Sequence, residues 1–261
     1  MGRRTYCLIL QYDGTRYKGW QRLPGKAQTV QGRVEEALTV IFGEPVEISG
    51  SGRTDAGVHA MGQVVSFHAP ELPLEKLLSR LRHLLPGDIG AVSVGYAPER
   101  FHARLGAVEK TYVYRLWNSR RPDVFGRHYR TPFPRALDLE KMRRGAAYFL
   151  GAHDFLAFCA NKHFKKSSIR ELRRLDVTRD GEELRFVLTA DGFLYHMVRI
   201  IVGTLLEIGL GLREPESIPA IFRGRDRSLA GETAAPEGLC LQEVRYTEKA
   251  LLPEEVCDMI G

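Results

Sequence analysis

The sequence predicts an α+β protein in which a βαββαβ unit occurs twice in tandem. Short apolar strands and amphipathic helical patterns follow one another in the order strand, helix, strand, strand, helix, strand, and this order returns in the second half. The 261 residues, 44% of them hydrophobic, are enough for a substantial buried core. We place the boundary near residues 105–109, which gives a first unit of residues 1–107 and a second of residues 108–261.

Apolar periodicity defines the elements of the first unit. Strands are predicted at residues 5–12, 46–50, 63–67 and 89–96. A helix before Gly43 is predicted from the spacing of Val34, Ala37, Leu38 and Ile41. Pro86 ends a second helix, which is predicted from the spacing of Leu74, Leu77, Leu78, Leu81 and Leu85.

The second unit repeats this pattern with one insertion. Strands are predicted at residues 110–117, 169–177, 184–189 and 239–246, and helices at residues 139–150 and 194–209. A turn at Asp180-Gly181 joins the two middle strands, and a polar, Gly/Pro-punctuated insertion lies between Glu214 and Gly238. Two ferredoxin-like units of this kind are expected to form antiparallel sheets that meet at a central cleft.

Charge and cysteine content bound the function. The net charge is +6 and the pI is near 9.2, with +3 in each half, which favours a polyanionic partner without proving one. The four cysteines lie far apart, with no zinc-ligand spacing, so we expect reduced thiols and no metal. The longest apolar stretch, Ile200 to Leu212, contains Glu207 and is too short to span a bilayer. We therefore expect a cytoplasmic protein.

The most unusual segment lies between the two middle strands of the first unit, from Gly50 to Ala60. Glycines and other small residues surround one carboxylate, Asp55, with Arg53 and His59 nearby. Such a loop lets a bulky ligand approach the backbone. From the residues alone, a structural Asx-turn at Asp55 is an equal alternative.

This segment resembles the signature of the tRNA pseudouridine synthase A family. The similarity continues in family order through nearly the whole chain, in motifs at residues 12–21, 29–32, 101–104, 110–114, 151–155, 192–199 and 238–241. One departure is Ile200, which stands where many members have asparagine after the arginine.

The resemblance implies a role for five residues. Asp55 would be the catalytic nucleophile, Arg53 would help to flip the target base, and Arg199 would pair with Asp55. Tyr112 would lie against the flipped base and Leu239 would line the uracil pocket. It also implies a homodimer that isomerises uridines 38, 39 and 40 in the anticodon stem-loop of tRNA.

The chemistry suits these residue types. The bond from uracil N1 to the ribose breaks, the base turns over, and its C5 bonds to the same sugar carbon, so no cofactor is needed. A carboxylate can act covalently or stabilise the positive charge that develops on the sugar. Two alternatives are an RNA-binding protein without catalysis and a nucleoside glycosidase, which usually needs a second carboxylate and would release free uracil.

Several other polar residues have simpler interpretations. His59 is expected to be a structural hydrogen-bonding group. Tyr112 lies on one strand face with Tyr114 and Leu116, which is typical of core packing. The following basic runs contain interleaved aromatic residues that suit RNA, although a solvated face is the usual explanation of such runs: residues 120–121, 127–130, 162–166 and 173–174.

Overall fold

The computed structural model describes residues 2–25, 27–161 and 165–247, which fall into two compact units. The first unit contains Met1–Val108 together with Leu241–Gly261, and the second contains Glu109–Cys240. Both units combine antiparallel strands with helices, which confirms the α+β class. The last of the four cysteines, Cys257, lies outside the described residues, and Cys7 and Cys159 are buried free thiols.

The first unit has the element order that the sequence predicts. Its elements are β1 (Arg3–Tyr12), α1 (Val30–Phe42), β2 (Ile48–Gly50), β3 (His59–Pro70), α2 (Leu74–Leu84) and β4 (Ile89–Ala97). The sheet order is β4-β1-β3, with β2 also paired to β3, and these pairings are antiparallel. The start of β3 is four residues earlier than predicted.

Local signals explain both ends of α1. The Thr29 side chain accepts a hydrogen bond from the Gly32 amide at the N-terminus of the helix. At the C-terminus, Gly43 adopts a left-handed φ of 72° and its amide donates to the Thr39 carbonyl oxygen. The contact at Gly43 confirms the predicted end of this helix.

From residue 107 onward, the chain contains the predicted elements and additional short ones. In chain order they are β5 (Ala107–Trp117), β6 (Thr131–Pro132), α3 (Leu139–Ala147), β7 (Gly151–Asp154), β8 (Ile169–Asp180), β9 (Glu183–Ala190), α4 (Met197–Gly209), α5 (Ile218–Gly224) and β10 (Leu239–Tyr246). The sheet order is β5-β9-β8-β7, and β6 pairs with β5. The predicted bounds of β10 are confirmed.

Three details of the second unit differ from the prediction. The helix predicted from residue 194 begins at Met197, because His196 has a φ of 62° that no helix can continue through. The hairpin turn falls one residue later than expected: Asp180 pairs with Glu183, which leaves Gly181 and Glu182 in the turn. The helix predicted to residue 150 ends at Ala147.

The final strand crosses the division between the units. Its residues Leu241–Tyr246 group with the first unit, whereas Leu239 and Cys240 group with the second unit, Glu109–Cys240. A Cβ on Gly62 would lie 2.8 Å from the Gln242 carbonyl oxygen, so β3 and this segment approach closely. The Tyr246 hydroxyl also donates to the Ala103 carbonyl oxygen over 2.6 Å. These contacts tie the end of the described chain to the first unit.

Candidate functional site

The loop that carries Asp55 connects β2 to β3 in the first unit. Gly50 pairs with Val65, and the Ser51 amide extends this pairing by donating to the Val64 carbonyl oxygen over 2.7 Å. The Val58 amide then donates to the main-chain carbonyl oxygen of Asp55 over 3.2 Å. The main chain therefore closes a turn at Asp55 without using its carboxylate for that hydrogen bond.

Two glycines allow the segment after β1 to lie directly against this loop. A side chain on Gly14 would overlap the Val58 carbonyl oxygen. Gly19 has a φ of 95°, and a Cβ there would lie 2.7 Å from the Thr54 carbonyl oxygen. The Trp20 amide donates to that same oxygen over 3.0 Å. The glycines in the motif at residues 12–21 thus serve a backbone contact with the Asp55 loop.

A network of buried polar side chains forms hydrogen bonds to the Asp55 loop. The Gln63 side-chain amide donates to the Gly52 carbonyl oxygen over 2.9 Å, and its Oε1 accepts from the Ser51 hydroxyl over 2.6 Å. The Tyr12 hydroxyl lies 2.8 Å from Thr54 Oγ1 and 3.4 Å from Gln63 Nε2. All four side chains are buried, so the network fixes the main chain on both sides of Arg53.

Arg53 and Asp55 are more exposed to solvent than Thr54, the residue between them. Thr54 is buried and points into the network, whereas Arg53 is exposed and Asp55 is partly exposed. Arg53 and Asp55 are therefore both accessible from solvent, and the buried network holds the main chain around Asp55 in a fixed position.

His59 anchors the neighbouring segment. It is buried, and its Nδ1 accepts a hydrogen bond from the Gly14 amide over 3.0 Å. Asp13 Oδ1 lies 3.2 Å from the same nitrogen, so His59 joins the segment after β1 to the end of the Asp55 loop. The expected structural role of His59 is confirmed.

Tyr112 lies in the second unit, on β5. It is buried on the same strand face as Tyr114 and Leu116, as the alternation predicts. The Phe193 ring packs edge-on against the Tyr112 ring, with centroids 5.1 Å apart. The Tyr114 hydroxyl instead bonds to Thr131 and to the Ala235 carbonyl oxygen, and burial raises the pKa of Tyr114. Tyr114 is thus a structural residue.

Arg199 lies in the first turn of α4 and is held by the chain segment that follows α5. Its Nε donates to the Ala234 carbonyl oxygen over 2.6 Å, and the Ala234 amide returns a bond to the Arg199 carbonyl oxygen over 3.1 Å. A side chain on Gly203 would overlap the Glu232 carbonyl oxygen, so the segment lies directly on the helix. The next residue, Ile200, is fully buried, and its apolar side chain packs in the core.

Leu239 is buried at the start of β10, close to the elements that hold Arg199. Its amide donates to the Pro236 carbonyl oxygen over 2.9 Å. The preceding Gly238 accepts from the Arg115 amide over 2.8 Å and lies against the Tyr114 ring. The structure thus groups the predicted residues by unit: Arg53 and Asp55 in the first, and Tyr112, Arg199 and Leu239 in the second.

Several arginines of the basic runs form ion pairs with carboxylates of the same unit. Arg130 bonds to Asp123 and Glu183, Arg173 to Glu109 and Glu171, and Arg174 to Asp176. Residues 162–164 of the third run lie outside the described residues. Pairing therefore accounts for several of these arginines without RNA.

The sequence did not indicate the residues that support the Asp55 loop. Tyr12 and Gln63 lie in ordinary strand patterns, and their hydrogen bonds to the loop depend on distant pairing. The glycines of residues 12–21 were the only local signal, because glycine permits close backbone approach.

None of the helices among the described residues is long and apolar enough to span a bilayer.

Comparisons with known proteins identify the family of this chain. A family model described as tRNA pseudouridine synthase matches residues 8–104 and 146–247, which include Asp55, Arg199 and Leu239 but not Tyr112. A tRNA pseudouridine synthase A of Moorella thermoacetica is 47% identical over 246 residues, covering 92% of this chain and 98% of the relative. Its counterpart in Geobacillus kaustophilus is 44% identical over 254 residues, covering 97% and 98%.

Proposed function

Since the chain belongs to the tRNA pseudouridine synthase A family, we propose that it isomerises uridines 38, 39 and 40 of the anticodon stem-loop. The coarser activity, isomerisation of uridine to pseudouridine in tRNA, follows from the family. The observation that supports the proposal most directly is that Asp55 is partly exposed on a turn that a buried network holds in place.

The reaction needs one well-placed carboxylate. The bond between ribose C1′ and uracil N1 breaks, the base rotates, and C5 bonds to C1′ while the proton of C5 is lost and N1 gains one. Atoms and electrons balance without an oxidant or a reductant. A fixed carboxylate can form a covalent intermediate or stabilise the cationic sugar, and its position is effective because no reorganisation is needed at the moment of reaction.

The other site residues complete the proposal. Arg53 extends from the same loop as Asp55 and would occupy the space left by the flipped uridine, as enzymes that flip bases require. Arg199 would pair with Asp55, Tyr112 would contact the flipped base, and Leu239 would line the uracil pocket. In this proposal residues 1–107 supply the nucleophile, and residues 108–261 complete the central cleft.

The same family membership leads us to propose a cytoplasmic homodimer. Uridines 38, 39 and 40 lie at successive positions on the anticodon arm. The tRNA must therefore bind in a different position relative to Asp55 for each of these three targets. We infer that recognition rests on the tRNA backbone rather than on the target's neighbours, since basic side chains read phosphates irrespective of sequence.

Mapping of pseudouridine in an unmodified tRNA transcript tests this function. Purified protein is incubated with transcripts that contain uridine at positions 38, 39 and 40 and elsewhere. We expect pseudouridine at these three positions and no release of free uracil. Modification at another arm of the tRNA would contradict the proposed substrate position, and free uracil would indicate a glycosidase.

A further inference from the structure

A loop in the second unit presents an aromatic residue entirely to solvent. Residues 119–130, which we term the Phe125 loop, connect β5 to β6 and lie between the two ranges that the family model matches. The Phe125 side chain is 95% exposed, and its neighbour Val124 is 58% exposed. Large apolar side chains in such positions often mark a binding surface, because exposure has no benefit for folding.

This exposure belongs to a defined loop conformation. The Asp123 carboxylate accepts from the Gly126 amide over 2.9 Å and from Arg130 over 2.6 Å. Arg130 also pairs with Glu183, and its guanidinium stacks over the Trp117 ring at 5.5 Å from the centroid. These bonds hold the base of the turn, so Phe125 is presented on a preformed support.

Charge next to Phe125 indicates the kind of partner. Arg120 and Arg127 are exposed, and neither has a carboxylate partner within the described part of the chain. Arg127 donates to the Val124 carbonyl oxygen over 2.6 Å, which fixes its guanidinium to the main chain of the residue before Phe125. Arg121 and Arg130, in contrast, are paired with Glu182, Asp123 and Glu183.

We propose that the Phe125 loop is a tRNA-binding surface on which Phe125 stacks against an unpaired base while Arg120 and Arg127 contact the flanking phosphates. Sequence-tolerant RNA recognition combines these groups, because every base has a stacking face and phosphates attract guanidinium groups. An interface with a second copy would bury the two unpaired arginines without compensation. The proposal depends on the tRNA substrate and is independent of the role of Asp55.

Four variants of the full-length protein test this proposal by tRNA affinity and steady-state kinetics. Phe125→Ala is expected to weaken binding about tenfold, the range for loss of one stacked base, with kcat unchanged. Phe125→Trp should restore binding because it keeps an aromatic face, whereas Phe125→Leu should not. Arg127→Ala should lower the slope of log affinity against log salt by about one.

The control is Leu212→Ala, which removes another side chain of the second unit that is 67% exposed. It should change neither affinity nor kcat. Thermal unfolding of each variant should match that of the parent, because Phe125 makes no core contacts. Unchanged affinity of Phe125→Ala, or full binding by Phe125→Leu, would overturn base stacking. A change of oligomeric state in Phe125→Ala would instead assign the loop to an interface between copies.

Discussion

The Asp55 loop and the Phe125 loop are held in place by different interactions. Buried hydrogen bonds from Tyr12 and Gln63 support the first, and the backbone of residues 14–20 covers it. Surface ion pairs of Asp123 and Arg130 support the second. A group that must meet a reacting atom requires tight positioning, whereas a contact to a base and its phosphates tolerates small displacements.

The comparison predicts its largest effect at Gly14. Gly14→Ala places a methyl group against the Val58 carbonyl oxygen, and since both partners are backbone, the loop must move. We expect a loss of roughly 2 kcal/mol or more in the free energy of unfolding, together with most of the activity. Denaturant unfolding and turnover measure both. Gly87→Ala is the control, because a Cβ there meets nothing within 4 Å.

A smaller effect on turnover is expected in the second unit, from Tyr112. Tyr112→Leu keeps an apolar side chain against Phe193 but removes the aromatic face, so kcat should fall by about tenfold or more while tRNA affinity changes little. Tyr114→Phe, which removes the hydroxyl bonded to Thr131 and Ala235, should lower stability only. Equal losses of binding and turnover in Tyr112→Leu would make Tyr112 a folding residue.

The buried network can be tested with two tyrosines of β1. Tyr12→Phe removes the hydroxyl beside Thr54 and Gln63, and Tyr6→Phe removes one bonded to the Pro70 carbonyl oxygen and the Leu72 amide. Both should lower the free energy of unfolding by about 1–2 kcal/mol. Only Tyr12→Phe should also lower kcat, by up to about tenfold, because only it loosens the loop. Similar kcat values for both variants would contradict a positioning role.

The smallest effect is expected at Asp123 of the Phe125 loop. The Gly126 amide and the Arg130 guanidinium hold the pKa of Asp123 below its ordinary value. Because the pKa of the folded state is depressed, this contribution to stability is present above the ordinary pKa and is lost as pH falls through the folded-state pKa. Parent and Asp123→Asn should therefore differ by at most a few degrees in Tm near pH 7 and converge in strong acid.

The sequence predicted features that depend on neighbouring residues. Thr29 and Gly43 mark the ends of α1 because caps act within one turn, and alternation placed Tyr112 on the buried face of β5. The left-handed His196 was not predictable, since residues other than glycine rarely adopt that conformation, and the helix start was misplaced. The support of Gln63 for the Asp55 loop arises from strand pairing across twelve residues and leaves no local pattern.

The candidate site was also predicted only in part from the sequence. Glycines around Asp55 indicated a ligand-accessible loop, but residue chemistry alone left an Asx-turn as an equal alternative. Resemblance to a family supplied the proposed role of Asp55, and the structure supplied the main-chain turn that leaves its carboxylate outside the turn hydrogen bond. The sequence did not predict the exposure of Phe125, because an apolar residue is normally expected to be buried.

The most direct test of the account is the Asp55→Asn variant, measured for thermal stability, tRNA affinity and pseudouridine content. Asparagine keeps the shape of the side chain and removes its charge and nucleophilicity. The main-chain bond between Val58 and Asp55 is unaffected by this change. We predict a folded protein that binds tRNA nearly as well as the parent and forms no pseudouridine. Turnover near the parent rate by the folded variant would contradict the assignment of Asp55 as the catalytic nucleophile.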